Sequence, residues 1–127
     1  MSRIQVHLKA HSVEEARRFY CEDLGLFALH QDYGMDTVSL VFERNPNVFL
    51  ILSAGSPPGS EDYAFALEVE DCGGLFDQLR AKPFVTGGRI LSEEVFEYPL
   101  GKNFLLRDPS GNRFLIFREG CGSIAAT

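Results

Sequence analysis

The chain has 127 residues, of which 45% are hydrophobic, and this length suits one domain with a shared core. A formal net charge of −6 disfavours nucleic acid as a partner, because binding to phosphates needs a basic face. We find no apolar run near the roughly 18 residues of a membrane span and no signal peptide, so we predict a cytoplasmic protein without a membrane partner. Three cysteines without CxxC spacing predict neither a disulfide framework nor a zinc site.

The first half of the chain begins with an alternating strand and continues with a capped helix. Residues 3–10 alternate between apolar and polar side chains, as in a half-buried strand. Ser12 and Glu15 form a capping-box pattern at the start of the helix, and Gly25 ends it. Three more strands are predicted, separated by turns at residues 32–34 and 45–47: Leu26–His30, Thr37–Glu43 and Val48–Ser53.

The second half restarts after a linker of Pro, Gly and Ser at residues 54–62. Tyr63–Val69 alternates like the opening strand, and Asp71 caps a helix that runs to about Lys82. Asp108–Gly111 (sequence DPSG) is a strong hairpin turn. The remaining strands are predicted at Arg89–Leu91, Val95–Tyr98, Asn103–Arg107 and Arg113–Arg118.

The two halves match each other at a constant offset. Ser12 and Asp71 occupy equivalent positions between a strand and a helix, and the preceding strands align without a gap. We therefore predict an α+β fold of two βαβββ modules that form curved mixed sheets around a cleft, as one domain over residues 1–127. The predicted divisions are module one at 3–53, the linker at 54–62, module two at 63–118 and a tail at 119–127.

Three local patterns resemble one known superfamily. The first is Ser12–Tyr20 followed by Leu24–Leu26, the second is Phe65–Val69 before its capped helix, and the third is Pro99–Phe104 leading into Asp108–Asn112. In this order and spacing, the chain resembles the vicinal oxygen chelate superfamily. Its members include glyoxalase I, bleomycin-resistance proteins, fosfomycin-resistance enzymes and extradiol dioxygenases.

The resemblance implies paired βαβββ modules around a cleft and, in many members, a dimer in which halves of different subunits face each other. Metal-using members place four ligands in that cleft, and these positions fall on Gln5, Ile51, Ala64 and Leu115. Three of these four side chains carry no donor atom, and one neutral amide cannot hold a divalent cation. We therefore predict no metal and no cofactor. A substrate-holding Arg of metal-using members is replaced by Lys9, which loses the bidentate fork.

The same faces of the strands supply a candidate ligand site. The polar anchors would be Gln5, His7, Lys9 and Glu68, and the apolar positions are Phe49, Ile51, Ala64, Leu115 and Phe117. A mostly apolar concavity with few polar groups is typical of small-molecule sites. Two alternatives stay open from the sequence: the polar face is simply solvated, and the apolar side chains have filled the cleft as ordinary core.

The leading functional interpretation is a metal-independent protein of the bleomycin-resistance type. It would be a homodimer that sequesters an antibiotic or metabolite rather than an enzyme. One alternative is a metal-dependent glyoxalase-like lyase or isomerase, or a dioxygenase. The other is a non-catalytic regulatory or assembly module, because a fold does not fix a function.

Overall fold

The structure is a computed structural model that describes residues 2–59 and 61–120. The first half forms a four-stranded sheet in the spatial order β1-β4-β3-β2. Its strands are β1 (Ile4–Ala10), β2 (Phe27–Gly34), β3 (Thr37–Phe42) and β4 (Val48–Ala54). The first and last of them are parallel, whereas β2, β3 and β4 pair as antiparallel neighbours.

The second half forms a five-stranded sheet in the order β5-β9-β8-β6, and β7 also pairs with β8. Its strands are β5 (Phe65–Glu68), β6 (Arg89–Ile90), β7 (Phe96–Tyr98), β8 (Gly101–Arg107) and β9 (Arg113–Glu119). Again the first strand runs parallel to the last. Both opening strands, β1 and β5, therefore lie at the edge of their sheets, and the α+β fold of two related modules is confirmed.

Ser12 and Asp71 cap the N-termini of the two helices, as their equivalent positions in the two halves predict. The Ser12 hydroxyl accepts a hydrogen bond from the Glu15 backbone at 3.1 Å, and the Asp71 carboxylate accepts one from Gly74 at 2.9 Å. Each bond satisfies a donor that the first helical turn leaves free. These caps start helix α1 (Val13–Arg18) and helix α2 (Cys72–Arg80).

The first helix is not a single α-helix up to Gly25, as the sequence suggested. It ends at Arg18 and continues as a π-helical turn over Phe19–Asp23, closed by a bond from the Leu24 amide to the Phe19 carbonyl. A wider turn changes the direction of successive side chains. Here both Phe19 and Tyr20 are fully buried.

Two further boundaries differ from the sequence prediction. Strand β2 continues to Gly34, and its hairpin turn lies at Met35 and Asp36, which both have positive φ. This is the geometry of a tight two-residue hairpin, so the turn follows residues 32–34 instead of including them. In the second module, the two strands predicted at Arg89–Leu91 and Val95–Tyr98 are present as β6 and β7, each one residue shorter. Between them, the Ser92 hydroxyl accepts a hydrogen bond from the Leu105 amide at 2.9 Å.

The two modules share a core of aromatic side chains. The ring of Tyr20 lies 5.7 Å from Phe27 of its own module and 5.7 Å from Phe114 of the other. Phe65 stacks on Phe114 at 4.8 Å. Edge-on and stacked ring contacts both add to the free energy gained by burying the rings. Within residues 2–59 and 61–120, no helix is long and apolar enough to cross a membrane.

Candidate functional site

The strand register places five predicted site residues on one face of the first sheet. Gln5 pairs with Phe49 and His7 pairs with Ile51, so their side chains point the same way. The opposite side of the sheet packs against helix α1 and the core. We define front face one by the register as Gln5, His7, Lys9, Thr37, Ser39, Val41, Phe49, Ile51 and Ser53.

Front face one has an aromatic centre that two unpredicted residues cover. The Arg3 guanidinium lies 4.1 Å from the centre of the Phe49 ring, and the His30 ring lies 4.9 Å from it with an edge-on orientation. Phe49 is consequently buried, although Gln5 beside it is exposed. Neither His30 nor Arg3 belongs to the site residues predicted from the sequence.

His30 reaches this position through an irregularity in β2. The pairing of β2 with β3 shifts register between Leu29 and Gln31, which is where His30 lies. Such shifts redirect a side chain relative to regular alternation. The His30 Nδ1 atom lies 2.9 Å from the Ser39 hydroxyl, and Ser39 is only 1% exposed. Front face one therefore has a fixed polar group beside its aromatic centre.

The other four predicted residues lie on the second sheet. Ala66 pairs with Leu115 and Glu68 pairs with Phe117, and Ala64 precedes β5 with its amide bonded to β9. We define front face two as the central part of this face, with Ala64, Ala66, Glu68, Phe96, Tyr98, Asn103, Leu105, Leu115 and Phe117. Most of these central side chains are apolar. The register places the charged residues Arg89, Arg107, Arg113 and Glu119 on the same side, towards the strand ends.

The two charged residues at equivalent positions of the modules make separate contacts in this chain. The Lys9 ammonium donates to the Ser53 hydroxyl at 3.2 Å. The Glu68 carboxylate accepts from the Glu119 amide at 3.2 Å and lies 3.9 Å from the Arg118 guanidinium. Neither contact requires a buried ion pair, because both side chains are exposed.

Front face two also has an aromatic pair that lies outside the predicted site residues. The rings of Phe96 and Tyr98 stack at 6.0 Å, nearly parallel, on the short strand β7. Phe96 is 59% exposed. The register of β7, β8 and β9 places it on the same face as half-buried Phe117, with Asn103 between them.

A cavity of about 650 Å³ forms a groove between the modules along the free edge of β5. Its walls include Ile4 and Val48 of the first sheet and Phe65 of the second. Of the predicted residues, only Glu68 and Phe117 line it. The groove is therefore distinct from front face one, and the nine predicted residues fall into two groups on different sheets.

Cys21 and Cys72, the two cysteines in the described part of the chain, are unsuited to nucleophilic chemistry. Burial raises the pKa of Cys21 to about 11, opposed by the nearby Arg17 guanidinium. Burial likewise raises the pKa of Cys72 to about 11. Both are therefore thiols rather than thiolates at neutral pH. Cys121 lies outside the described residues.

Comparison with known proteins identifies the family. The family model of the Glyoxalase/Bleomycin resistance protein/Dioxygenase superfamily matches residues 5–116. The chain belongs to this superfamily. No curated protein sequence gives a significant match to it.

Several solved structures have the same fold. The antibiotic binding protein TnmS3 from Streptomyces sp. CB03234 is 21% identical with a TM-score of 0.73, covering 94% of this chain and 97% of its own. UcmS2 is 22% identical with a TM-score of 0.73, covering 92% and 98%. A superfamily member from Sphaerobacter thermophilus DSM 20745 is 18% identical with a TM-score of 0.72, covering 94% and 98%. At these identities the likeness shows the fold alone.

The metal that the superfamily resemblance implies does not fit the side chains present. Of the four matched positions, Gln5 offers an amide oxygen, while Ile51, Ala64 and Leu115 offer only hydrocarbon. Divalent cations need several oxygen, nitrogen or sulfur ligands. Across residues 2–59 and 61–120, no group of three His, Cys, Asp or Glu side chains is placed to hold a metal ion.

Proposed function

We propose that this protein binds a small, planar or hydrophobic molecule without a metal and sequesters it rather than converting it. The observation that carries the proposal is the replacement of metal ligands by Ile51, Ala64 and Leu115 on otherwise suitable sheet faces. A site with apolar walls and a few polar anchors is the usual environment of a bound organic molecule. The antibiotic binding described for TnmS3 supports the same class of function.

The bound molecule would contact both front faces. Gln5, His7 and Lys9 are exposed on front face one, where they can donate or accept hydrogen bonds. Phe117 on front face two is half-buried and offers an apolar wall, with exposed Glu68 beside it. In many superfamily members, halves of different subunits face each other. By the same arrangement, the complete site would combine front face one of one subunit with front face two of another.

We therefore propose a homodimer. The edge strands β1 and β5 each have one side without a strand neighbour in their sheets, and unpaired strand edges readily accept a second chain. Within each subunit, residues 1–127 would act as one domain, since Tyr20 of the first module bonds to Asp108 of the second. Free thiols at Cys21 and Cys72 are consistent with a reducing cytoplasm.

A thermal-shift screen tests the proposed binding. We expect at least one planar aromatic antibiotic to raise the melting temperature by several degrees, because a ligand that binds only the folded state stabilises it by mass action. The variant Ala66→Glu places a carboxylate on exposed front face two and should abolish that shift. The matched variant Ala81→Glu, at the exposed end of helix α2, should keep it.

Two outcomes would contradict the proposal. One is that no compound of a broad panel of antibiotics and aromatic metabolites shifts the wild-type protein at high concentration, which would favour a regulatory or assembly role. The other is that Ala66→Glu and Ala81→Glu respond to the ligand equally, which would place the binding site away from front face two.

A further inference from the structure

We infer that the preferred ligand is a planar aromatic acid whose anionic group is held beside Phe49 on front face one. The inference rests on the proposed binding function and assigns Arg3 and His30 a role in ligand recognition. It is carried by three features of front face one: an uncompensated positive charge, an arginine already positioned on an aromatic ring, and a histidine redirected onto the same ring.

The charge of front face one is opposite in sign to that of the whole chain. The chain has 18 Asp and Glu residues against 12 Lys and Arg, yet none of the nine residues that define front face one is acidic. Arg3 and Lys9 add two positive charges there, and no carboxylate of the described residues lies within 4.0 Å of either. An anion approaching this face would meet attraction without a competing internal partner.

The Arg3 side chain is arranged to receive an acid group. Its guanidinium carbon lies over the Phe49 ring, 4.1 Å from the ring centre. No carboxylate of the described residues forms an ion pair with Arg3, so its N–H donors can form paired hydrogen bonds with the carboxylate of a ligand. Positioning by the ring also lowers the conformational entropy lost on binding.

His30 supplies the second contact. The register shift in β2 directs its ring to Phe49, at 4.9 Å, and the buried Ser39 hydroxyl bonds its Nδ1 atom. Because Nδ1 bonds to Ser39, the other ring nitrogen of His30, Nε2, can form a hydrogen bond with the ligand. Gln5 lies beside Phe49 in the strand register and adds an exposed amide.

The distance between Arg3 and Lys9 determines which of these two side chains binds the acid group. Arg3 and Lys9 are six positions apart along one extended segment, which at about 3.3 Å per residue separates them by about 20 Å. A single small acid cannot reach both. The acid group is therefore assigned to Arg3 and His30, where the surrounding contacts fix the side chains, and the aromatic ring to the apolar surface of Phe96, Tyr98 and Phe117.

Three matched probes test the inference: 2-naphthoate, the neutral 2-naphthamide and the cationic 2-naphthylmethylamine. We expect calorimetry at pH 7.5 to give an affinity for naphthoate about tenfold or more above that for the amide, with the amine weakest. Arg3→Gln should reduce the affinity for naphthoate to that for the amide and leave the amide unchanged. Arg18→Gln removes the same charge from helix α1, behind the sheet, and should change neither affinity by more than about twofold.

The failure of this inference is distinguishable from the failure of the proposed function. Equal or tighter binding of the amide or the amine would overturn the acid class while small-molecule binding stands. Equal losses in Arg3→Gln and Arg18→Gln would attribute the attraction to net charge and overturn the role of Arg3. If none of the three probes binds, the aromatic-acid inference is wrong, and the antibiotic panel decides the binding function separately.

Discussion

Replacing Asp108 with alanine is expected to lower the free energy of unfolding by about 3–5 kcal/mol, a large part of the stability of a domain this size. Asp108 is 1% exposed and sits in the turn that ends β8. Its carboxylate accepts the Tyr20 hydroxyl at 2.8 Å and the amides of Ser110 and Asn112 at 2.9 Å each. The Asn112 side chain donates to it as well.

The size of this effect follows from what the substitution leaves behind. Several buried donors lose their acceptor at once, and each unsatisfied buried group costs about 1–3 kcal/mol. Tyr20 belongs to the first module, so the contact between modules weakens too. Burial and the neighbouring Asp108 hold the pKa of Tyr20 well above its usual value, which keeps the phenol as a hydrogen-bond donor.

Urea denaturation monitored by circular dichroism provides the measurement. Tyr20→Phe removes one of the hydrogen bonds and should cost about 1–2 kcal/mol. Asp77→Ala, at an exposed position of helix α2, is the matched control and should stay within about 0.5 kcal/mol of wild type. If Asp108→Ala behaved like Asp77→Ala, the Asp108 network would not be what joins the modules.

Replacing Gly101 with alanine is expected to destabilise the protein by about 3 kcal/mol. A Cβ atom at this position would collide with the Arg118 carbonyl oxygen and would lie 2.9 Å from the Glu119 Cα atom. Both obstacles are backbone atoms of β9, which is paired to β8 along its length and cannot move without breaking the ladder. The second sheet, which carries front face two, should therefore loosen.

Gly73→Ala is the matched comparison, because a Cβ atom there meets nothing within 4 Å. Gly73 lies in helix α2, where alanine is favoured over glycine by up to about 1 kcal/mol. Both substitutions add one methyl group. Gly101→Ala should lower the melting temperature, whereas Gly73→Ala should raise it. A loss of stability in Gly73→Ala, or none in Gly101→Ala, would contradict this description of the two sites.

The sequence predicts the features that depend on local order. Alternation along residues 3–10 identifies β1 and the exposed side of Gln5, and Ser12 and Asp71 mark the two helix starts. These features can be predicted from the sequence because side-chain direction and helix capping depend on neighbours only a few positions away. The repeat between the halves then extends the same reasoning to the whole fold.

The features that were missed depend on pairing between distant segments. The position of His30 follows from a register shift between β2 and β3, and Arg3 contacts an aromatic ring 46 positions away in the sequence. The sequence predicts only a turn at Asp108. In the structure, the Asp108 carboxylate also accepts a hydrogen bond from the Tyr20 hydroxyl of the other module. Such contacts are set by tertiary packing, which local propensity does not encode.

Metal-independent binding follows from the loss of metal ligands in the strands, and the metal content of the purified protein tests it directly. The purified protein is dialysed against excess nickel, zinc, manganese or iron, passed through a desalting column and assayed by plasma mass spectrometry. With Ile51, Ala64 and Leu115 at the ligand positions, we predict well below about 0.1 ion per chain for each metal. Retention of about one ion per chain, reduced by Gln5→Ala, would contradict metal-independent binding.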